Sequence, residues 1–381
     1  MASEIRFTPE DWDRIERDYG AWWAGELDRP LVLLTGTEPD ADLPELSGFL
    51  ASHPDLSPEE ICERRHAHLC ATRFYGDAFP TWFINFGAGA LAAFLGSKVN
   101  PDGHTVWFEP PEDLAMRDID PAFDREGYWW RRVVDITRAA VERWDGLVAV
   151  SHTDIGGTLD VIASLRSTEG LLFDLADVPE EVERVLWKVS DFWRQCYDEL
   201  TPIIAARCRG TVPWAQSWSP RRTYMLQCDF CYMISPAMFE RFVLPELTAV
   251  CDHLDDAFYH LDGPGAIPHL DMMLAIPSLK GIQWIPGAGN PEAAEWLDLL
   301  RRIRDAGKLC QVFCSPEGAL HVVRELGGKG FQLLIGGGFD ADSAAALIQD
   351  IERADRRGAA RSTTKIRGIP RLPGTTAGER Q

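Results

Sequence analysis

The chain has 381 residues and carries 38 Lys and Arg against 59 Asp and Glu, a formal net charge of −21 with neutral histidines. At 45% apolar and 25% charged it has the composition of a globular protein, long enough for two domains or one large α/β barrel. So acidic a balance disfavours nucleic acid and anionic membranes as partners, and an anionic ligand would need a local basic or metal site.

Met1 to Arg17 is charged and lacks the apolar core of a secretory signal. The most apolar stretch, Ile84 to Gly96, is too short to span a bilayer and contains Asn85. Nine cysteines, an odd number, fit a reducing compartment better than a disulfide framework, so the expected location is cytoplasmic. Thr8-Pro-Glu-Asp opens a polar helix running to about Gly20. Short apolar runs then alternate with helical patterns. The predicted strands are Leu31–Thr35, Trp82–Phe86, Leu147–Ser151, Val212–Gln216, Phe258–Leu261, Ile282–Ile285, Cys310–Phe313 and Phe331–Ile335. Helical patterns cover Ser57–Tyr75, Trp130–Trp144, Pro179–Leu200, Pro236–Leu254, Glu292–Ala306 and Glu317–Leu326. Strand then helix, repeated through the chain, predicts a (β/α)8 TIM barrel with a helical amino-terminal extension; a doubly wound open sheet is the alternative. Residues 1–360 read as a single domain, and the tail from Arg361 has no apolar periodicity and reads as disordered. Asn100 to Gly127, after the second strand, and Ser217 to Ser235, after the fourth, are long insertions that would wall a pocket on the catalytic face.

Side chains at the carboxyl ends of barrel strands converge on one mouth. Reading that position along the chain gives Asn85, then His152 and Asp154, then Trp214, Gln216 and Trp218, then His260 and Asp262, then Trp284 and Cys314. His152/Asp154 and His260/Asp262 have a spacing of two, which projects each pair to one side of its strand. Imidazole plus carboxylate suits a metal site or an acid/base pair, whereas strand-capping histidines bonded to backbone are the plainer account. Gly87-Ala-Gly89-Ala-Leu-Ala92 matches a dinucleotide fingerprint only weakly and reads better as a tight turn. Cys228-Asp-Phe-Cys231 has no second pair nearby to complete a zinc site, which leaves Asp229 as its most interesting member. The tryptophans could stack on a flat ligand, although most large aromatics serve packing. Arg221 and Arg222 could grip a carboxylate or be solvated, and Gly336-Gly-Gly-Phe-Asp340 follows the eighth strand, where many barrels bind phosphate.

Leu226-Gln-Cys-Asp-Phe-Cys-Tyr-Met-Ile-Ser-Pro-Ala-Met-Phe-Glu-Arg-Phe-Val-Leu-Pro245 resembles the segment after the fourth strand in the uroporphyrinogen decarboxylase superfamily. Phe258-Tyr-His-Leu-Asp-Gly263 and Gly281-Ile-Gln-Trp-Ile-Pro286 resemble that family's fifth and sixth strands. The resemblance covers roughly residues 130 to 350 and implies a barrel. It also implies either a cofactor-free tetrapyrrole decarboxylase or a zinc-dependent methyltransferase serving a corrinoid protein or a thiol. The amino-terminal Arg-rich run of true uroporphyrinogen decarboxylases has no counterpart here. The methyltransferase branch has His-x-Cys on the fifth strand and a Cys near the eighth, where this chain has His260-x-Asp262 and Gly336-Gly-Gly. The expected enzyme is therefore a methyltransferase acting between a small substrate or thiol and a separate corrinoid protein. His260, Asp262 and Cys314 would hold zinc. Asp229, His152 and Asp154 would do acid/base work, and Asn85, Trp214, Gln216, Trp218, Arg222 and Trp284 would line the substrate. A metal-free carboxy-lyase, with Asp229 stabilising a cationic intermediate and Arg221 and Arg222 gripping a carboxylate, is the first alternative. A non-catalytic ligand-binding barrel is the second, and a Trp-rich glycosidase with Asp154 and Asp262 as its carboxylates comes behind both.

Overall fold

The computed structural model describes residues 4–38 and 42–367, with side chains as far as Arg356. The elements run α1 (Pro9–Trp23), β1 (Leu31–Thr37), α2 (Pro58–Ala71), β2 (Thr72–Gly76), β3 (Thr81–Trp82), α3 (Leu91–Phe94), β4 (Lys98–Pro101) and β5 (Val106–Glu109). Then come α4 (Tyr128–Trp144), β6 (Ala149–Val150), α5 (Thr158–Arg166), α6 (Thr168–Asp177), α7 (Pro179–Ala205), β7 (Thr223–Leu226), α8 (Pro236–Phe242) and α9 (Leu244–His253). The last third holds β8 (Asp256–Asp262), α10 (Leu270–Leu274), β9 (Leu279–Ile285), α11 (Leu297–Asp305), β10 (Leu309–Cys314), α12 (Pro316–Leu326), β11 (Phe331–Ile335) and α13 (Ala341–Arg367).

The fold is mixed α/β around a seven-stranded sheet of order β2-β1-β11-β10-β9-β8-β7. Only β2 runs antiparallel; every other pairing in this sheet is parallel. Two smaller sheets stand apart: the parallel pair β3/β6 and the hairpin β4/β5. Helix α13 runs past Arg361, and residues 368–381 lie outside the described residues.

Local chemistry explains the element ends. Helix α1 starts at a capping box in which Thr8 and Asp11 exchange side-chain and backbone bonds, with Pro9 in the first turn. Its apolar stripe, Trp12, Ile15, Tyr19 and Trp22, is buried, so the segment is an amphipathic plug rather than a polar extension. Trp22 stacks on Phe258 of β8 at 5.9 Å, and Trp23 Nε1 donates to the Trp218 carbonyl. Each such buried side chain contributes about 1.5–3 kcal/mol. Ser57 and Glu60 repeat the capping box at α2. That helix ends at Ala71, because Thr72, Phe74 and Tyr75 join the antiparallel strand β2 instead of prolonging it to Tyr75. The single helix expected over Pro236–Leu254 is broken at Val243, where Pro245 removes a donor at the start of α9.

One correction matters for function. Val212–Gln216 is not a strand; the strand that pairs parallel with β8 here is β7, Thr223–Leu226. Ser219 and Thr211 form only an isolated bridge. This shift puts Arg221 and Arg222 at the amino-terminal start of β7, and Asp229 just beyond its carboxyl end.

Candidate functional site

His260 and Asp262 lie on β8, two residues apart and therefore on one face of the sheet. Asp229 opens the turn after β7. The structure brings these three together: one donor atom from each lies within 4.8 Å of the others. Asp229 is exposed at the mouth, and the other two are half-buried. Among the described residues no Lys, Arg or ordinary hydrogen-bond donor pairs with either carboxylate. Desolvation first, then Asp262, pushes the Asp229 carboxyl up from its ordinary value, against the lowering pull of His260. Two carboxylates and an imidazole with no balancing cation form a donor set for a divalent ion.

Asp229 is positioned by a residue that sequence reasoning overlooked. Asp160, in the first turn of α5, accepts from the backbone amides of Asp229 and Phe230. Its carboxyl is pushed up to about 7 by burial and by Asp229. Asp154 lies alongside, accepting from Gly156 and from Gln227 Nε2, and is pushed up to about 7 by the same two causes. A cavity of about 370 Å³ opens on this side, lined by Asp160, Gln227, Asp229 and Met233, with Trp107 of the insertion hairpin at its edge.

His260 is oriented by a ladder of buried glutamines. His260, Gln283, Gln311 and Gln332 stand in register on β8, β9, β10 and β11, and so share one face. The three glutamines are fully buried. Gln311 Nε2 faces the Ala215 carbonyl at 2.8 Å, and Gln332 Nε2 faces the Gln216 carbonyl at 3.0 Å. Carbonyls only accept, so both amide orientations are settled. Gln311 Oε1 must then face Gln283 Nε2, and Gln283 Oε1 must face His260 Nδ1. His260 therefore donates from Nδ1, which leaves Nε2 as the nitrogen available to a metal. Trp214 lays its edge against the imidazole at 5.2 Å. The signal for the ladder is legible in the sequence: one glutamine sits inside each of three consecutive apolar runs.

The other expected site residues have different surroundings. Cys314 projects from the opposite face to Gln311, since neighbours along a strand alternate, and it is not part of the cluster. Burial pushes its thiol up to about 12, which keeps it protonated and a poor ligand. Trp284 alternates away from Gln283 in the same manner and packs on Trp296 under the sheet. Trp218 is core, against Trp12 and Tyr19. His152 is buried, stacked on Tyr197 at 4.6 Å and bonded to Thr201 Oγ1, and burial drives its imidazole down to about 3. No hydrogen bond among the described residues joins it to Asp229, His260 or Asp262. Asn85 accepts from Gly87 and shapes a turn. Gln216 sits exposed at φ 59° on a second cavity. Arg222 pairs with Asp198, and Arg221 with Asp256 at the amino-terminal start of β8, the end away from the cluster. Asp340 caps the start of α13 through Ser343, so a carboxylate occupies the position expected for phosphate.

Compared with protein-family models and with curated protein sequences, the chain matches none. No helix among the described residues is long and apolar enough to cross a membrane.

Proposed function

We propose that the chain is a metal-dependent enzyme of the uroporphyrinogen decarboxylase-like kind, which moves a methyl group between a small substrate or thiol and a corrinoid on a separate protein. The observation that carries the reading is the Asp229–His260–Asp262 cluster, whose two carboxylates lack any balancing cation among the described residues. Three protein donors is the count of a catalytic rather than a closed structural site. Zinc held there would supply Lewis acidity, lowering the pKa of a thiol so that it is nucleophilic at neutral pH. Gln283 fixes the tautomer that offers His260 Nε2, Trp214 shields one side of the imidazole, and Asp160 holds the backbone of Asp229. The exposed Trp107 and Met233 beside Asp229 give the mouth an apolar rim, which suits delivery of a large planar cofactor by a partner.

The same reading includes closure of the sheet into a (β/α)8 barrel. Strands β1, β3, β6, β7, β8, β9, β10 and β11 would be its members. The β3/β6 pair would fill the gap between β1 and β7, and Tyr224 of β7 already reaches the end of β6, donating to the Thr153 carbonyl at 3.0 Å.

Elemental analysis of purified protein tests the metal. We expect about one zinc per chain for wild type and for Cys314→Ala, and loss of the zinc in His260→Ala and Asp262→Asn. Methyl transfer from free methylcobalamin to a small thiol, followed by cobalamin absorbance, should then require the metal. A second reading, a metal-free carboxy-lyase, is favoured by the buried Asp154, whose carboxyl at about 7 could protonate a carbanion. Protein that stays metal-free after zinc-supplemented growth would remove the first reading and leave this one, or a non-catalytic barrel.

A further inference from the structure

A second cavity, also about 370 Å³, opens at the carboxyl ends of β1, β10 and β11. Its wall includes Thr35 and Thr37 of β1, Phe313 of β10, Leu334 of β11 and Gln216. Register puts Leu334, Phe313 and both threonines on the sheet face that carries the glutamine ladder. Among the described residues the one cation lining it is Arg65, which reaches in from α2.

Arg65 differs from most arginines of this chain. Among the described residues it has no carboxylate partner, while many other arginines are paired. Its Nε is buried without a hydrogen-bond partner. Among the described residues its one hydrogen bond is a long one, 3.4 Å from an Nη to the Thr81 carbonyl. Burial alone acts on its pKa, lowering it. Arg65 is half-buried, with its Nε fully enclosed and unsatisfied, so a group that completes the guanidinium would find donors in place. The side chain of Gln216 and the hydroxyls of Thr35 and Thr37 stand exposed to the same space. Much of the remaining wall is apolar.

We propose that this cavity is an anion-binding subsite for the carboxylate of a small organic acid, with Arg65 as its binding residue. The planar fork of the guanidinium matches a carboxylate bidentately, the hydroxyls and the Gln216 amide can complete the oxygens, and Phe313 and Leu334 receive the apolar body. It supplies the local basic site that a chain of net charge −21 needs to hold an anion. None of Asp229, His260 and Asp262 lines this cavity, so binding here can be measured whether or not the cluster holds zinc.

The test is calorimetric titration of the full-length protein with valerate, with valeramide as the uncharged isostere and with inorganic phosphate. Valerate should bind, valeramide should not, and phosphate should bind more weakly than valerate. Arg65→Met should weaken valerate roughly 10- to 100-fold, and Arg65→Lys, which keeps charge but loses the fork, should fall between. Without ligand, Arg65→Met should unfold at the same or higher denaturant than wild type, because it removes a buried donor that nothing satisfies; a purely structural Arg65 would give the reverse. Equal binding of acid and amide, unchanged affinity in Arg65→Met, or preference for phosphate would each overturn the proposal.

Discussion

His260 Nδ1 is bonded to Gln283 Oε1, and the direction of that bond is dictated by two main-chain carbonyls at the far end of the ladder, Ala215 and Gln216. The segment that fails to form a strand thus orients the site, because its irregular backbone leaves carbonyls free to accept from side chains, which a paired strand could not do. Gln283→Leu removes the acceptor for His260 and the donor for Gln311. It should lower zinc affinity roughly 10- to 100-fold, as loss of such supporting groups does, and cost about 1–3 kcal/mol of stability from the unsatisfied groups left behind. Competition with a chromophoric chelator measures the first and urea denaturation the second. Unchanged zinc affinity would mean the tautomer is held by something other than the ladder.

Asp154 sets a pH dependence of unusual sign for a carboxylate. Unfolded, it ionises near pH 4; folded, burial and Asp229 place its pKa at about 7. Between these values the native chain holds a proton that the unfolded chain has released, so stability falls as pH rises from about 4 and levels off above about 7. The full loss approaches about 4 kcal/mol. Asp154→Asn keeps an acceptor for Gly156 and Gln227 but cannot ionise, so the variant should gain stability over wild type at pH 8 and little at pH 4.5. Denaturation of metal-free protein at both values checks this, and a gain of equal size at each pH would rule the titration out.

Much of this is legible in the sequence and some is not, for identifiable reasons. Phe331–Ile335 is a strand over the predicted residues, and Phe258–Leu261, Ile282–Ile285 and Cys310–Phe313 lie within β8, β9 and β10, because buried parallel strands write continuous apolar runs. The two-residue spacing of His260 and Asp262 gives their shared face. Val212–Gln216 has a comparable apolar run, yet Pro213 and the buried Ser217 and Ser219 belong to a segment lying across the sheet face, while Thr223–Leu226 takes the place in the ladder. That one shift carries Arg221 and Arg222 to the opposite end of the molecule from the cluster. Position along the strand alone suggests Cys314 and Trp284 for the site, but parity sends both to the sheet face opposite the glutamine ladder. Asp160 and Arg65 act across gaps in the chain that no local pattern reports.

Arg221 offers a clean separation of structure from function. Its guanidinium holds the fully buried Asp256 at 2.5 Å, with Ser219 Oγ donating to the same carboxylate at 2.6 Å. Arg221→Met leaves that carboxylate buried with two N–H donors fewer, one from Nε and one from an Nη. Breaking a buried pair costs about 3–5 kcal/mol, and because this guanidinium is half exposed the expected loss is nearer about 2 kcal/mol. Zinc content and valerate affinity should not change, since the pair sits at the opposite end of the sheet. A Met variant that keeps its stability but loses ligand would restore Arg221 to the binding role its sequence position suggests.

Gly89 and Gly156 cross so closely that they test the mouth's backbone directly. Both adopt positive φ, 87° and 92°. A Cβ on Gly156 would lie 2.5 Å from the Gly89 Cα, whereas a Cβ on Gly89 would meet nothing within 4 Å. Gly89→Ala should therefore cost only the left-handed penalty, about 1–2 kcal/mol. Gly156→Ala must also push two main chains apart, stretching the 2.8 Å bond from Ala90 to the Asp154 carbonyl and the 2.9 Å bond from Gly156 to the Asp154 carboxylate. It should cost clearly more, by at least about 1 kcal/mol for the lost bonding, and it should raise the pKa of Asp154 further, because the Gly156 amide is one of the donors that hold that carboxyl down. Urea denaturation of the two variants, with titration of the carboxyl by NMR, distinguishes the terms. Equal stability losses would show that the loops separate without strain and that conformation alone selects glycine at both positions.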